Sequence, residues 1–160
     1  HYNPATKVVN LSKEVYYGNS VVAAAVAAHE CGHAVQHAES YSWLQLRSSL
    51  VPVVNFASRW VKWVLLGGMI LINTFPGLLL AGIVLFGLTT LFSFVTLPVE
   101  IDASKRALAW IDAHQITSRE THGKAQEALR LAAYTYVVAA LSSLATLCYY
   151  VMIYLGNNDD

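Results

Sequence analysis

No charged residue lies between Lys62 and Glu100, a run of 37 residues. As one helix it would be about 55 Å long at 1.5 Å per residue. The apolar interior of a bilayer is only about 30 Å thick. The middle of the run reads NTFPG (residues 73–77), which is turn chemistry. The run therefore predicts a transmembrane helical hairpin, with arms at about 60–75 and 78–97. A further apolar stretch, residues 131–155, has tyrosines towards both ends, as interfacial anchors do, and predicts a third span. With 56% hydrophobic and 12% charged residues, the chain carries about half the charge of a soluble domain. The expected fold is a mostly α membrane protein, one membrane-embedded domain over residues 1–160.

The formal net charge is zero, which argues against nucleic acid as a partner, because phosphate binding needs a basic surface. The two cysteines, Cys31 and Cys148, form no disulfide framework and are expected to be buried free thiols.

The remaining segments are more polar. Asn3-Pro4 reads as a turn, and residues 6–11 (TKVVNL) as a short strand. Gly18-Asn19-Ser20 is a break that offers an N-cap. Val21–Ala38 then reads as one helix, buried all round in its Ala/Val half. Residues 41–62 read as a second helix that Pro52 bends or restarts. Arg59, Trp60, Lys62 and Trp63 mix charge with aromatic rings, as at a membrane interface. Residues 100–130 are helical in pattern, with a loop at about 115–123.

The chemistry lies in HECGH, residues 29–33. Histidines at i and i+4 share one helix face, so His29 and His33 can reach one Zn²⁺ ion. Glu30, beside the first histidine, can then serve as general base towards a water activated by the metal. Burying two histidines and a glutamate in an Ala/Val helix without partners would be costly, and a metal removes that cost.

A catalytic zinc takes three protein ligands and keeps one open position. Candidates for the third are Glu39, His37, Glu100, Asp102, His114 and His122. Glu39 is ten residues after His29, where one metalloprotease class has its last ligand. That class needs a glycine at the position of Gln36, and here the helix runs on. His37 is a full turn beyond His33. Glu100 follows the returning arm of the hairpin, and two crossings bring it back to the face that carries His29 and His33. Pro98 is placed to start a fresh helix there. A solvated glutamate at a helix start, favoured by the helix dipole, is the alternative for Glu100.

HYNPATKVVNLS, VAAHECGHAVQHAESY, LRSSLVP and LPVEIDASKRAL, taken together, resemble the YugP-type neutral zinc metallopeptidases of bacteria. The order of elements is also similar to that of the HtpX and CAAX prenyl protease group: an HExxH helix, a transmembrane hairpin, then a helix with ExxxD. The resemblance implies a Zn²⁺ enzyme with Glu100 as third ligand. It also implies an N-terminal membrane helix before His1 and a bacterial plasma membrane location. Ser104 stands where the HtpX group has Asp; a serine can still hydrogen-bond a ligand histidine.

Donors for the oxyanion of a tetrahedral intermediate are sought among His114, His122, Tyr134, Tyr136 and Arg106. All ten Lys and Arg residues fall within 1–62 and 105–130, which places the catalytic side in the cytoplasm by the positive-inside rule. The expected function is a multi-pass, membrane-embedded, zinc-dependent endopeptidase acting on a protein or peptide substrate. The rival is a non-catalytic membrane adaptor or chaperone that keeps zinc for stability. An intact Glu30 and an open coordination position separate the two.

Overall fold

The structure, a computed structural model, describes residues 1–159. The chain opens with a hairpin of β1 (Tyr2–Asn3) and β2 (Val8–Val9), paired antiparallel with Tyr2 opposite Val9. Asn3 makes the turn, its Oδ1 accepting from the N–H groups of Ala5 at 2.9 Å and Thr6 at 3.4 Å. The remainder is helical: α1 (Lys13–Tyr16), α2 (Val21–Ala38), α3 (Ser42–Ile70), α4 (Pro76–Ala113) and α5 (Arg119–Asn158).

α2 has the bounds that the sequence predicts. Ser20 caps it, its hydroxyl accepting from Ala23 N–H at 3.1 Å. Its C-terminus closes with Ser40 at φ 56°. The Ser40 N–H donates to the His37 carbonyl at 3.2 Å, and the Tyr41 N–H to the Gln36 carbonyl at 2.9 Å. This is the two-bond Schellman closure. α2 is not buried all round. Ala25, Ala28, Gly32, His33 and Gln36 are covered, whereas Val22 and Val26 are exposed.

The long helices are more continuous than expected. α3 runs through Pro52 and α4 through Pro98, so Glu100 lies in the interior of α4 and not at a fresh helix start. Each proline removes one helical N–H, and the rungs on either side keep the helix together. α5 starts at Arg119, earlier than the expected loop end. Ser118 and Thr121 make a reciprocal cap: Ser118 N–H donates to Thr121 Oγ1 at 2.9 Å, and Thr121 N–H to Ser118 Oγ at 3.2 Å.

The chain divides into two compact units, each containing parts of α4 and α5. The first comprises His1–Gln45 and Thr96–Tyr136. Its core is Ala25 and Ala28 of α2, Ala107 and Ile111 of α4, and Ala125 and Leu129 of α5. The second comprises Leu46–Val95 and Val137–Asp160. Leu65, Leu79 and Ile83 are its centre. There α3 and α4 touch backbone to backbone, since a Cβ on Gly68 would lie 2.6 Å from the Leu79 Cα. Thr90 and Ser143 join α4 to α5 by a hydroxyl–hydroxyl hydrogen bond of 2.6 Å.

Two of the described helices, α4 and α5, are long and apolar enough to cross a membrane. Both cysteines are free and exposed, contrary to the expectation of burial. On helices whose outward faces are themselves apolar, a thiol needs no protein cover.

Candidate metal centre

Every group of the site belongs to the first unit. His29 and His33 are one turn apart on α2, and their rings meet edge to face with centroids 4.8 Å apart. Glu100 projects from α4 between them. Its Oε2 lies 2.9 Å from His29 Nε2 and 3.4 Å from His33 Nε2. One donor atom from each of the three residues lies within 4.8 Å of the others. Glu100 is only 3% exposed and His33 8%. Gly32 makes this approach feasible: a Cβ there would lie 2.7 Å from the Ala103 carbonyl oxygen.

The outer nitrogens of both rings are also engaged. His29 Nδ1 lies 3.0 Å from Ser104 Oγ, so Ser104 makes the contact that a hydroxyl there was expected to supply. His33 Nδ1 lies 2.9 Å from Gln36 Oε1. Gln36 Nε2 donates to the Val99 carbonyl and to Asp102 Oδ2, each at 2.9 Å. Asp102 in turn accepts from Arg106 Nε at 2.6 Å, and Arg106 Nη1 reaches Glu39 Oε2 at 2.5 Å. The Arg106 guanidinium lies over the Tyr41 ring, 5.6 Å from its centroid. The turn that ends α2 is thus tied to α4.

Glu30 faces a cleft of about 180 Å³. His29, Glu100 and Ser104 form its polar wall with Glu30. Val26 of α2 and Leu129, Ala132, Ala133 and Tyr136 of α5 complete it.

The other candidates lie elsewhere. His37 Nδ1 is 2.6 Å from the Tyr2 hydroxyl, under the hairpin. Glu39 and Asp102 hold Arg106. His114 is exposed, stacked on Trp110 and 3.0 Å from its carbonyl oxygen. His122 lies at the end of the first turn of α5, in a groove shared with Asp112 and Arg119. Of the residues weighed for an oxyanion, Arg106 is bound in ion pairs, Tyr134 is exposed, and Tyr136 lines the cleft. Gln36 belongs to the site without being one of the sequence candidates. The signal was present, since 29, 33 and 36 are one helix face at i, i+4 and i+7.

A protein-family model described as "putative neutral zinc metallopeptidase" matches residues 1–155. The chain belongs to this family. The "putative membrane protease YugP" of Bacillus subtilis (strain 168) is 46% identical over 160 residues, which is all of this chain and 70% of that relative. No solved structure matches.

The family's cofactor is zinc, and the donors present fit it. Gln36 Oε1 can only accept, and it faces His33 Nδ1; with the proton on that nitrogen, His33 would present a lone pair at Nε2. That lone pair faces the Glu100 carboxylate, another acceptor. Two acceptors facing each other in a buried site call for a proton or a cation between them. Burial alone would lower the His33 pKa, but hydrogen bonding and charge from Glu100 outweigh it, helped by Gln36 and Glu30, and hold it above the usual histidine range. Two imidazoles and one carboxylate are a recurrent donor set of catalytic zinc sites.

Proposed function

We propose that this protein is a membrane-embedded, zinc-dependent endopeptidase in which His29, His33 and Glu100 hold the metal and Glu30 is the general base. The observation that carries this reading is the convergence of three donor atoms, from the half-buried His29 and the buried His33 and Glu100, beside a fourth residue, Glu30, that opens onto a cleft. Three protein donors leave a coordination position free, as catalytic sites do and closed structural sites do not.

Zinc, when bound, supplies a Lewis acid that polarises the scissile carbonyl and lowers the pKa of water to about 7. Glu100 lends negative charge to a site otherwise made of neutral rings. Ser104 and Gln36 orient the two imidazoles. Glu30 accepts the proton of the attacking water and passes it to the departing amine, which a single carboxylate in reach of both can do. The apolar wall of the cleft excludes water and accommodates a peptide side chain beside the scissile bond.

The membrane part of the reading rests on α4 and α5. Leu131, Val138, Leu141, Leu144 and Met152 of α5 are all exposed. An apolar face of this extent calls for lipid or another protein. We place the spans at about 60–75, 78–97 and 131–155. The first is completed by snorkelling of Arg59 and Lys62, because the uncharged end of α3 beyond Lys62 comprises residues 63–70 alone. The exclusive placement of Lys and Arg in 1–62 and 105–130 supports a cytoplasmic catalytic side of a bacterial plasma membrane. Protein or peptide is the substrate class, and membrane proteins are within reach of a site so close to the bilayer.

The test is Glu30→Gln in the protein purified in detergent, with zinc content and hydrolysis of an unfolded protein measured side by side. We expect about one zinc per chain to be kept, as in a three-ligand site, and hydrolysis to fall by about 10²–10⁴-fold, the usual contribution of a general base. Full metal-dependent activity in the variant would remove Glu30 from the mechanism. Zinc binding with no hydrolysis by the wild type would favour the zinc-stabilised adaptor.

A further inference from the structure

The geometry points to Gln36 as a positioning residue that locks His33 in the tautomer with its proton on Nδ1, keeping the Nε2 lone pair turned towards the point shared with His29 and Glu100. Gln36 is wholly buried, so its carboxamide must be satisfied inside the protein. Its Nε2 lies 2.9 Å from the Val99 carbonyl oxygen and 2.9 Å from Asp102 Oδ2. Both are acceptors. A flipped amide would set Oε1 against two oxygens, so the orientation has one solution. Oε1 then faces His33 Nδ1 at 2.9 Å and requires a proton there.

Ser104 does not do the same for His29. A hydroxyl donates or accepts by rotating, so the contact at 3.0 Å permits either tautomer. The two histidines of one motif are therefore held differently, one fixed and one permissive. The lock draws on groups 63 and 66 residues away along the chain, and Asp102 is itself fixed by Arg106. A free neutral histidine prefers its proton on Nε2, which would point an N–H and not a lone pair at the metal. The fold overrides that preference through Gln36.

The inference rests on the proposed metal site for its purpose but not for its test. Metal-free protein carrying ¹⁵N-labelled histidine is placed in detergent micelles, and the pH is raised until the ring nitrogen shifts no longer change. The ring nitrogen shifts then report the tautomer. We expect the proton of His33 on Nδ1 in the wild type and its transfer to Nε2 in Gln36→Met, a variant of similar shape that neither donates nor accepts in the same way. Zinc affinity, read by competition with a chromophoric chelator, should fall about 10–100-fold in Gln36→Met, the usual effect of losing a partner that orients a ligand. Ser104→Ala should leave the His33 tautomer unchanged. A wild type with the His33 proton on Nε2 overturns the inference outright, whether or not the variant folds. So does a Gln36→Met protein with His33 still protonated on Nδ1. A wild type that shows the predicted tautomer but takes up no zinc would instead overturn the metal reading and leave the lock standing.

Discussion

Gly32 faces Ala103 so closely that a Cβ on it would lie 2.7 Å from the Ala103 carbonyl oxygen and 3.2 Å from its Cα. The neighbour is backbone and cannot turn aside. Gly32→Ala must therefore push α2 and α4 apart by several tenths of an ångström, although alanine is the better helix former by about 1 kcal/mol. We expect overpacking to win, with a loss of about 1–3 kcal/mol seen as a lower Tm in detergent. Zinc affinity should fall as well, because Glu100 and the histidines sit on the two helices being separated. An unchanged Tm and zinc affinity would show that the contact is not needed.

Ser104 Oγ lies 3.0 Å from His29 Nδ1. Ser104→Ala leaves that nitrogen without its partner, which costs about 0.5–1.5 kcal/mol for an ordinary hydrogen bond. Zinc affinity is expected to drop about tenfold. Chelator competition checks it, and Ser104→Thr should restore most of the loss.

The raised pKa of His33 in the metal-free site gives zinc uptake a defined pH dependence. Below the unfolded value of about 6.5, His33 is protonated and its pairing with Glu100 stabilises the metal-free protein in full. That stabilisation is lost as pH rises through the higher folded pKa. Zinc needs the neutral ring, so the proton competes with it. Affinity should therefore fall by about tenfold per pH unit for each proton displaced, on the acid side of the raised pKa. Calorimetry in buffers of different ionisation enthalpy counts the protons released. Uptake without proton release near neutral pH would contradict the picture.

In the second unit, a Cβ on Gly68 would lie 2.6 Å from the Leu79 Cα and 2.7 Å from its N. Glycine here lets two apolar helices touch at the backbone. Gly68→Leu should lower the detergent Tm by an amount corresponding to about 1–3 kcal/mol or more. Substitution of Gly87, which has open space around it, by alanine should have no such effect.

The sequence by itself determined the local features. The Ser20 cap and the end of the Ala/Val pattern set the bounds of α2, because capping and periodicity act over one or two turns. The i, i+4 spacing of His29 and His33 put two imidazoles on one face. NTFPG broke the uncharged run where the chain turns between α3 and α4. Pro98 misled as a helix start, and Pro52 does not restart a helix, since a missing N–H inside a long helix is outweighed by the bonds and packing on either side. What only the tertiary structure decided depends on residues far apart in the chain. It brought Glu100, and not Glu39, Asp102 or His37, to the two histidines, while Arg106 and Tyr2 took those others as partners. It also gave Gln36 its acceptors. No rule of local spacing selects one carboxylate among several, or orients a buried amide, because each is chosen by the donors and acceptors that α2 and α4 bring together when they pack at Gly32 and Ala103.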